Sequence, residues 1–264
     1  TVAFGGDNSG GVKYNNISPS VGVVYKLQPT TSLYASYAQG AENPSFTETQ
    51  NATAVSTTRP NTSLRQSTSD NYEMGIKSWV SPKTYVAGTL FYSKTADEII
   101  VVQNVPGFRV FGNQGDTTRQ GVELEFDTRL PHGFGFYTAL SYNDAKFDST
   151  NLYIPAVPRT LGFAEFSWAT APKDLKIAVE AVHSGRIFGE TNNSVSDDGY
   201  TVYNFRTTAK QKFNKLTLTE YFAVNNLMDT VYVANLRTAA QFGRYYDTGV
   251  ARNIIVGINA AYAF

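Results

Sequence analysis

Apolar and polar residues alternate with a period of two along most of the chain, and the three-to-four-residue spacing of an amphipathic helix is not evident. Eleven segments carry the alternation, at roughly 17–26, 31–40, 69–80, 83–96, 116–129, 134–145, 158–170, 174–186, 200–211, 215–227 and 249–264. Each is predicted to be a β-strand. Shared among eleven strands, 264 residues give 24 per strand and connection, about twice the ~8–12-residue spacing of a β-sandwich. Connections alternate between short and long. QPT (28–30), SPK (81–83), PHG (131–133), AP (171–172) and FNK (213–215) are short, whereas 41–68, 97–115, 146–157, 187–199 and 228–248 are long. In an antiparallel meander this collects the short turns at one end and the long loops at the other, as in outer-membrane barrels.

The two faces of the strands differ in the way such a barrel requires. Val122, Leu124 and Phe126 alternate with Gly121, Glu123, Glu125 and Asp127. Tyr72, Met74 and Ile76 alternate with Glu73, Gly75 and Lys77, and Leu175, Ile177, Val179 and Ala181 with Lys176, Ala178 and Glu180. In the last segment Val250, Arg252, Ile254, Val256, Ile258, Ala260, Tyr262 and Phe264 share one parity, and the other parity is mostly small and polar. Three carboxylates on one strand face would be a costly sandwich core; a lumen filled with water or a polar partner accommodates them. Segment 215–227 gives no such assignment, because Glu220 shares parity with Leu216, Leu218, Phe222 and Val224. The expected fold class is all-β, an antiparallel transmembrane β-barrel with apolar residues toward lipid.

Composition agrees. Charged residues are 17%, against the ~25% usual in soluble domains, and 17 Tyr and 17 Phe can supply interfacial girdles. A net charge of zero without a run of five like charges argues against a nucleic-acid partner. Absence of cysteine removes disulfides and thiolate metal sites, and two histidines, His132 and His183, leave little for a metal cage, so no metal or cofactor is expected. The longest apolar runs, such as IIVV at 99–102, are far too short for a membrane helix. The opening TVAFGGDNSGG has neither the basic nor the apolar region of a signal peptide, so none is expected there. GxGxxG is absent.

Several motifs occur in the order and spacing of one family. SPSVGVVYKLQPTTSLYASYAQGAENPSFTE (18–48), SDNYEMGIKSW (69–79), NQGDTTRQGVELEF (113–126), IPAVPRTLGF (154–163), VNNLMDTVYV (224–233) and GRYYDTGVARNIIVGINAAYAF (243–264) together resemble the C-terminal part of a TonB-dependent outer-membrane receptor. The likeness spans about 17–264, and GRYY is similar to receptors for siderophores and for pyrroloquinoline quinone. The resemblance implies a 22-stranded barrel around a globular plug, preceded by a coupling peptide. Eleven strands are then half of it, with plug and coupling peptide outside residues 1–264. It further implies nutrient uptake across the Gram-negative outer membrane, with a ferric siderophore as the expected cargo, powered by the TonB–ExbB–ExbD complex. Phe264 would be the terminal aromatic read by the barrel assembly machinery, or an ordinary girdle residue.

Arg237, Arg244, Tyr245 and Tyr246 fall in the last long loop, and Phe108, Arg109 and Phe111 in the second. Guanidinium groups beside aromatics suit an anionic, planar or iron-chelating ligand. The alternatives are a solvated loop or contact with lipopolysaccharide phosphate. Glu123, Glu125 and Asp127 read as a lumen stripe rather than as paired catalytic acids. An outer-membrane enzyme would need a partner for His183, and Ser184 is a poor one because adjacent strand residues face opposite ways; no catalytic residue is assigned. The remaining competitor is a passive porin or autotransporter-type barrel of about twelve strands, closed by a strand within 1–16.

Overall fold

The computed structural model describes residues 11–49, 61–105, 108–170 and 174–263. In chain order these contain β1 (Ser20–Gln28), β2 (Thr31–Glu42), β3 (Ser67–Ser81), β4 (Thr84–Ala96), β5 (Ile99–Val105), β6 (Phe108–Asn113), β7 (Thr117–Arg129), β8 (Phe134–Phe147) and β9 (Thr160–Ala169). Then follow β10 (Leu175–Ser184), β11 (Ile187–Phe188), β12 (Ser196–Asp197), β13 (Tyr200–Phe213), β14 (Leu216–Asn225), β15 (Val233–Leu236), β16 (Tyr246–Thr248) and β17 (Asn253–Tyr262). Eleven strands form one sheet in the order β1-β2-β3-β4-β7-β8-β9-β10-β13-β14-β17. The remaining six pair as β5–β6, β11–β12 and β15–β16, and each ribbon lies within a long connection.

Every neighbouring pair of the large sheet is antiparallel, and its strands are the eleven read from the alternation. Only the ends differ appreciably. The last strand begins at Asn253, not 249. Gly249 N–H donates to the Tyr232 carbonyl at 2.8 Å, and Arg252 N–H to Asp229 Oδ1 at 2.8 Å, so this stretch is tied into the preceding loop. Val250 and Arg252 therefore leave the strand face assigned to them by parity. Phe264 and the turn at 171–172 lie outside the described residues. Residues 11–19 form no strand, and β1 and β17 are not paired with each other, so the sheet is open at both edges.

The register carries one face continuously across the sheet. Leu33 lies opposite Ile76, Met74 opposite Leu90, Leu90 opposite Val122, Leu124 opposite Leu140, Phe136 opposite Phe166, and Val179 opposite both Phe166 and Phe205. These side chains are largely uncovered: Ile258 is 72% exposed, Val256 69%, Met74 58% and Leu124 51%. A contiguous exposed apolar face of this extent would be unstable in water and is what a lipid-facing barrel wall presents. Aromatics mark its two ends. Phe134 and Phe166 pack at 5.6 Å beside the short turns, and Tyr37, Tyr72 and Tyr92 line up at 5.1 and 6.3 Å toward the loops.

The same register settles β14. Leu216, Leu218, Glu220, Phe222 and Val224 lie opposite Tyr262, Ala260, Ile258, Val256 and Ile254, which puts Glu220 on the apolar face. On the opposite face the polar groups are paired. Arg206 Nε donates to Glu180 Oε1 at 2.6 Å, and Asn204 to Glu180 Oε2 at 3.3 Å. Lys176 Nζ meets Glu165 Oε1 at 2.7 Å. Glu73, Lys77, Glu123, Glu125 and Tyr137 border a concavity of about 600 Å³ on this side.

The PHG turn shows why its residues suit it. His132 (φ 61°) and Gly133 (φ 86°) are both left-handed, and a Cβ on Gly133 would sit 2.0 Å from the Ala169 carbonyl oxygen. The His132 carbonyl accepts the Trp168 indole N–H at 3.1 Å. His132 is thus a turn residue that anchors a girdle tryptophan.

The packed apolar cluster of the described residues lies where the loop end of β8 meets the long connections. Ala145, Phe147 and Ile154 are 2, 3 and 5% exposed and gather Ile100 and Val157 around them. Small as it is, this cluster ties the β5–β6 ribbon to the connection after β8.

Candidate functional site

Three long connections converge at the loop end. The side-chain N–H of Asn104, in β5, donates to the Ala239 carbonyl at 2.5 Å, and Gln241 Nε2 donates to Asn104 Oδ1 at 2.6 Å. These bonds join residues more than 130 positions apart. Ala239 N–H reaches the Gly189 carbonyl at 3.0 Å, bringing the β10–β13 connection to the same place.

A cavity of about 430 Å³ opens beside this junction, lined by Asn104, Arg109, Arg237, Ala240, Gln241, Phe242 and Arg244. Three guanidinium groups and no carboxylate are among these residues. Arg237 is held bidentately by Asp247, with Nε at 2.9 Å from Oδ2 and Nη2 at 2.6 Å from Oδ1, and Asn235 donates to the same carboxylate at 3.0 Å. β15 and β16 make this possible by placing Asn235 opposite Asp247. The guanidinium, followed by Asn235, holds the Asp247 carboxyl below its ordinary value. Arg244 lies exposed, and its side chain makes no hydrogen bond or ion pair among the described residues.

The turn between β15 and β16 delivers Arg244 to the cavity. Phe242 (φ 57°) and Gly243 (φ 69°) are left-handed in succession. A bulky residue rarely adopts that conformation without a compensating role. Phe242 is 77% exposed and offers its ring at the cavity's border. Together the groups present positive charge, amide donors and one aromatic surface to an anion.

The sequence candidates divide between this cavity and its supports. Arg109, Arg237 and Arg244 come together. Tyr245 and Tyr246 stand behind them: Tyr245 O–H donates to Glu190 Oε1 at 2.6 Å, and Tyr246 O–H to the Ser196 carbonyl at 3.4 Å. Bonding to Glu190 raises the Tyr245 phenol above its ordinary value. Phe111 borders a neighbouring cavity of about 380 Å³ with Ile100, Val101, Ile154 and Ala239, so it belongs to the packing of the loops. Phe108 opens β6. Asn104, Gln241 and Phe242 were not singled out by sequence; the only local signal was the QFG stretch before GRYY, where a glycine follows an aromatic.

His183 is bridged by hydroxyls, with Nε2 at 3.1 Å from Thr160 Oγ1 and Nδ1 at 3.0 Å from Thr201 Oγ1. Both ring nitrogens are thus engaged by threonines on the neighbouring strands, an arrangement that needs no reaction to explain it.

Residues 1–227 match the family model described as TonB dependent receptor-like, beta-barrel. A probable TonB-dependent receptor, BfrD of Bordetella pertussis, is 24% identical over 236 residues, covering 83% of this chain and 31% of the relative. The ferric preacinetobactin receptor BauA of Acinetobacter baumannii superposes with a TM-score of 0.70 at 17% identity, covering 92% of this chain and 36% of that one. The ferric yersiniabactin uptake receptor FyuA of Yersinia pestis gives 0.68 at 21% identity, with 94% and 37% covered. The chain therefore spans about a third of the length of these relatives, and the open eleven-stranded sheet is part of a barrel wall. On the family match and the inside-out wall together, the chain belongs to the TonB-dependent receptor-like β-barrels of the Gram-negative outer membrane.

Proposed function

We propose that residues 1–264 are the C-terminal half of the barrel of an outer-membrane receptor that captures an anionic iron chelate, a ferric siderophore, at the cell surface. The carrying observation is the loop cavity lined by Arg109, Arg237 and Arg244 without a carboxylate among its lining residues. Ferric complexes of catecholate or carboxylate ligands bear negative charge and flat, oxygen-rich surfaces. Paired guanidinium hydrogen bonds suit those oxygens, and Phe242 suits the flat face. Import past the wall would require a plug within the lumen and work supplied by the TonB–ExbB–ExbD complex, both acting through segments outside these residues. The polar face bearing Glu73, Lys77, Glu123 and Glu125 is suited to contact such a plug. In relatives of the same fold, BauA and FyuA are named for ferric siderophores, which supports this cargo class.

The test is uptake of radiolabelled iron by cells carrying the full-length protein or lacking it, supplied as a ferric carboxylate, a ferric catecholate or a neutral ferric hydroxamate. Protein-dependent, TonB-dependent uptake of an anionic complex is expected. Uptake confined to the neutral complex would overturn the cargo assignment, and uptake unaffected by loss of TonB would overturn the energy coupling.

A further inference from the structure

A second cationic site lies on the opposite side of the wall. Lys146 and Arg159 both stand over the ring of Tyr153, with Nζ at 4.9 Å and Cζ at 4.7 Å from its centroid. Arg159 also lies over Tyr142 at 5.8 Å and donates from Nη2 to the Tyr142 hydroxyl at 3.1 Å. Arg159 is the arginine of the VPR motif, which the proposed uptake function leaves without a role.

Parity places this cluster on the outside. Tyr142 lies opposite Val122 and Thr160 on the apolar face, and Lys146 follows it at the same parity on β8. Tyr153 bridges to Lys146 and shares that side, and Phe188 covers it at 5.2 Å with an interplanar angle of 4°.

Height follows from counting. Phe134 marks the girdle beside the short turn, and Tyr142 is eight residues along the same strand. At ~3.4 Å per residue and a tilt of about 40°, eight steps rise ~21 Å, close to the ~25 Å apolar band of such barrels. Tyr142 is then the girdle of the outer leaflet. Arg159 stands one residue above it, beside Thr160, and Lys146 four residues above it, about 10 Å by the same count, at the level of lipid headgroups.

The cluster is held in place yet incompletely neutralised. Arg159 N–H bonds the Arg186 carbonyl at 3.1 Å, and the Arg159 carbonyl accepts from Asn143 at 2.8 Å, so its backbone is clamped between β8 and the connection after β10. Asp144 pairs with Lys146 at 3.1 Å. Among the described residues no carboxylate is in salt-bridge contact with Arg159, and its Nε is buried without a hydrogen-bond partner. Two cations against one carboxylate leave capacity for one more acidic group. A planar guanidinium fixed at headgroup height is suited to phosphate.

We infer that Lys146 and Arg159, braced on Tyr142 and Tyr153, form an outward-facing site for a phosphate group of an acylated glycolipid of the outer leaflet. The acyl chains would lie along the apolar wall beneath, and the phosphate would bond the outer nitrogens of the Arg159 guanidinium and the Lys146 ammonium. This site is independent of whatever the loop cavity carries.

The test uses the full-length protein purified in lipid-free detergent, with binding followed by native mass spectrometry. The probes are diphosphorylated lipid A, the same lipid enzymatically stripped of phosphate, and inorganic phosphate. Wild type should retain lipid A about tenfold more tightly than the dephosphorylated lipid. Lys146→Gln combined with Arg159→Gln should abolish that difference, and Arg159→Lys should keep part of it. Heat-modifiable migration of each variant reports that the barrel is intact. Equal retention of both lipids by wild type would overturn the site without reference to any variant. Undiminished discrimination in the double variant would overturn the residue assignment, and displacement of lipid A by millimolar inorganic phosphate would make it a free-anion site instead.

Discussion

Gln211 and Glu220 meet diagonally across β13 and β14 on the lipid-facing side of the wall, with Gln211 Nε2 at 3.3 Å from Glu220 Oε2. Ile258 lies directly opposite Glu220 on β17, so the pair is set among side chains chosen for hydrocarbon. A carboxylate on that face is costly unless satisfied, and a single amide satisfies it only in part.

Replacing Glu220 by Leu should therefore stabilise the folded barrel in lipid by about 1–2 kcal/mol, below the ~2–4 kcal/mol scale for basic residues at mid-membrane. Equilibrium unfolding of the full-length protein from vesicles is the measurement. A loss of stability would show that the pair serves register or a membrane partner.

Parity on β17 makes a sharper pair. Val256 is 69% exposed on the apolar face, and Asn259 lies on the other face opposite Thr219. Val256→Arg should cost roughly 2–4 kcal/mol in the same titration and Asn259→Arg much less. Equal costs would contradict the assignment of faces.

Arg244 is the cavity guanidinium whose side chain is uncommitted among the described residues. In the full-length receptor Arg244→Ala should weaken chelate binding by about 1.5–3 kcal/mol, the range for a hydrogen bond to a charged group. Surface levels should be unchanged. Normal affinity would make this arginine a solvated loop residue, and lost surface protein would make it a support of the loop.

Mild acid should leave the Arg237–Asp247 pair beside the cavity intact. Its folded pKa is depressed below 3.8 by Arg237, so the stabilisation it gives is complete above that ordinary value and is lost only as pH falls through the lower folded one. Binding should consequently be insensitive to Arg237–Asp247 pairing between neutrality and mild acid. Asp247→Asn should weaken binding at pH 7 by freeing Arg237 from its bidentate hold, and titration calorimetry across that range would show whether it does.

Isolated residues 1–264 carry two unpaired edges, β1 and β17, which would face lipid or detergent. Unmet backbone groups there are strongly disfavoured. Expressed alone, the chain should dimerise or aggregate rather than run as a heat-resistant monomer; a stable closed monomer on light scattering would contradict the open sheet.

The wall was legible because two solvents impose one signal on every residue, lipid on one parity and a polar lumen on the other. Where that signal was broken, sequence could not replace it: Glu220 hid the faces of β14 until its register with Ile258 was known. The start of β17 was overrun because Val250 and Arg252 continue the parity while Tyr232 and Asp229 take their segment into a loop. In the cavity, the arginines were visible as charges beside aromatics. Asn104 and Gln241 were not, since ordinary polar residues gain meaning only when 137 positions of chain fold back on themselves. Phe111 looked like its neighbours in sequence but turns into the loop packing.

The cohesion of the loops bears on how such a receptor could change its diet. Asn104 grips Ala239, Gly189 receives Ala239, Glu190 takes Tyr245, and Ile100 shares the cluster of Phe147 and Ile154. Any single loop grafted from a relative would arrive without the residues that shape it. Preference for a new chelate would have to be acquired by several loops in concert, and chimaeras exchanging only one should lose the old cargo before gaining another.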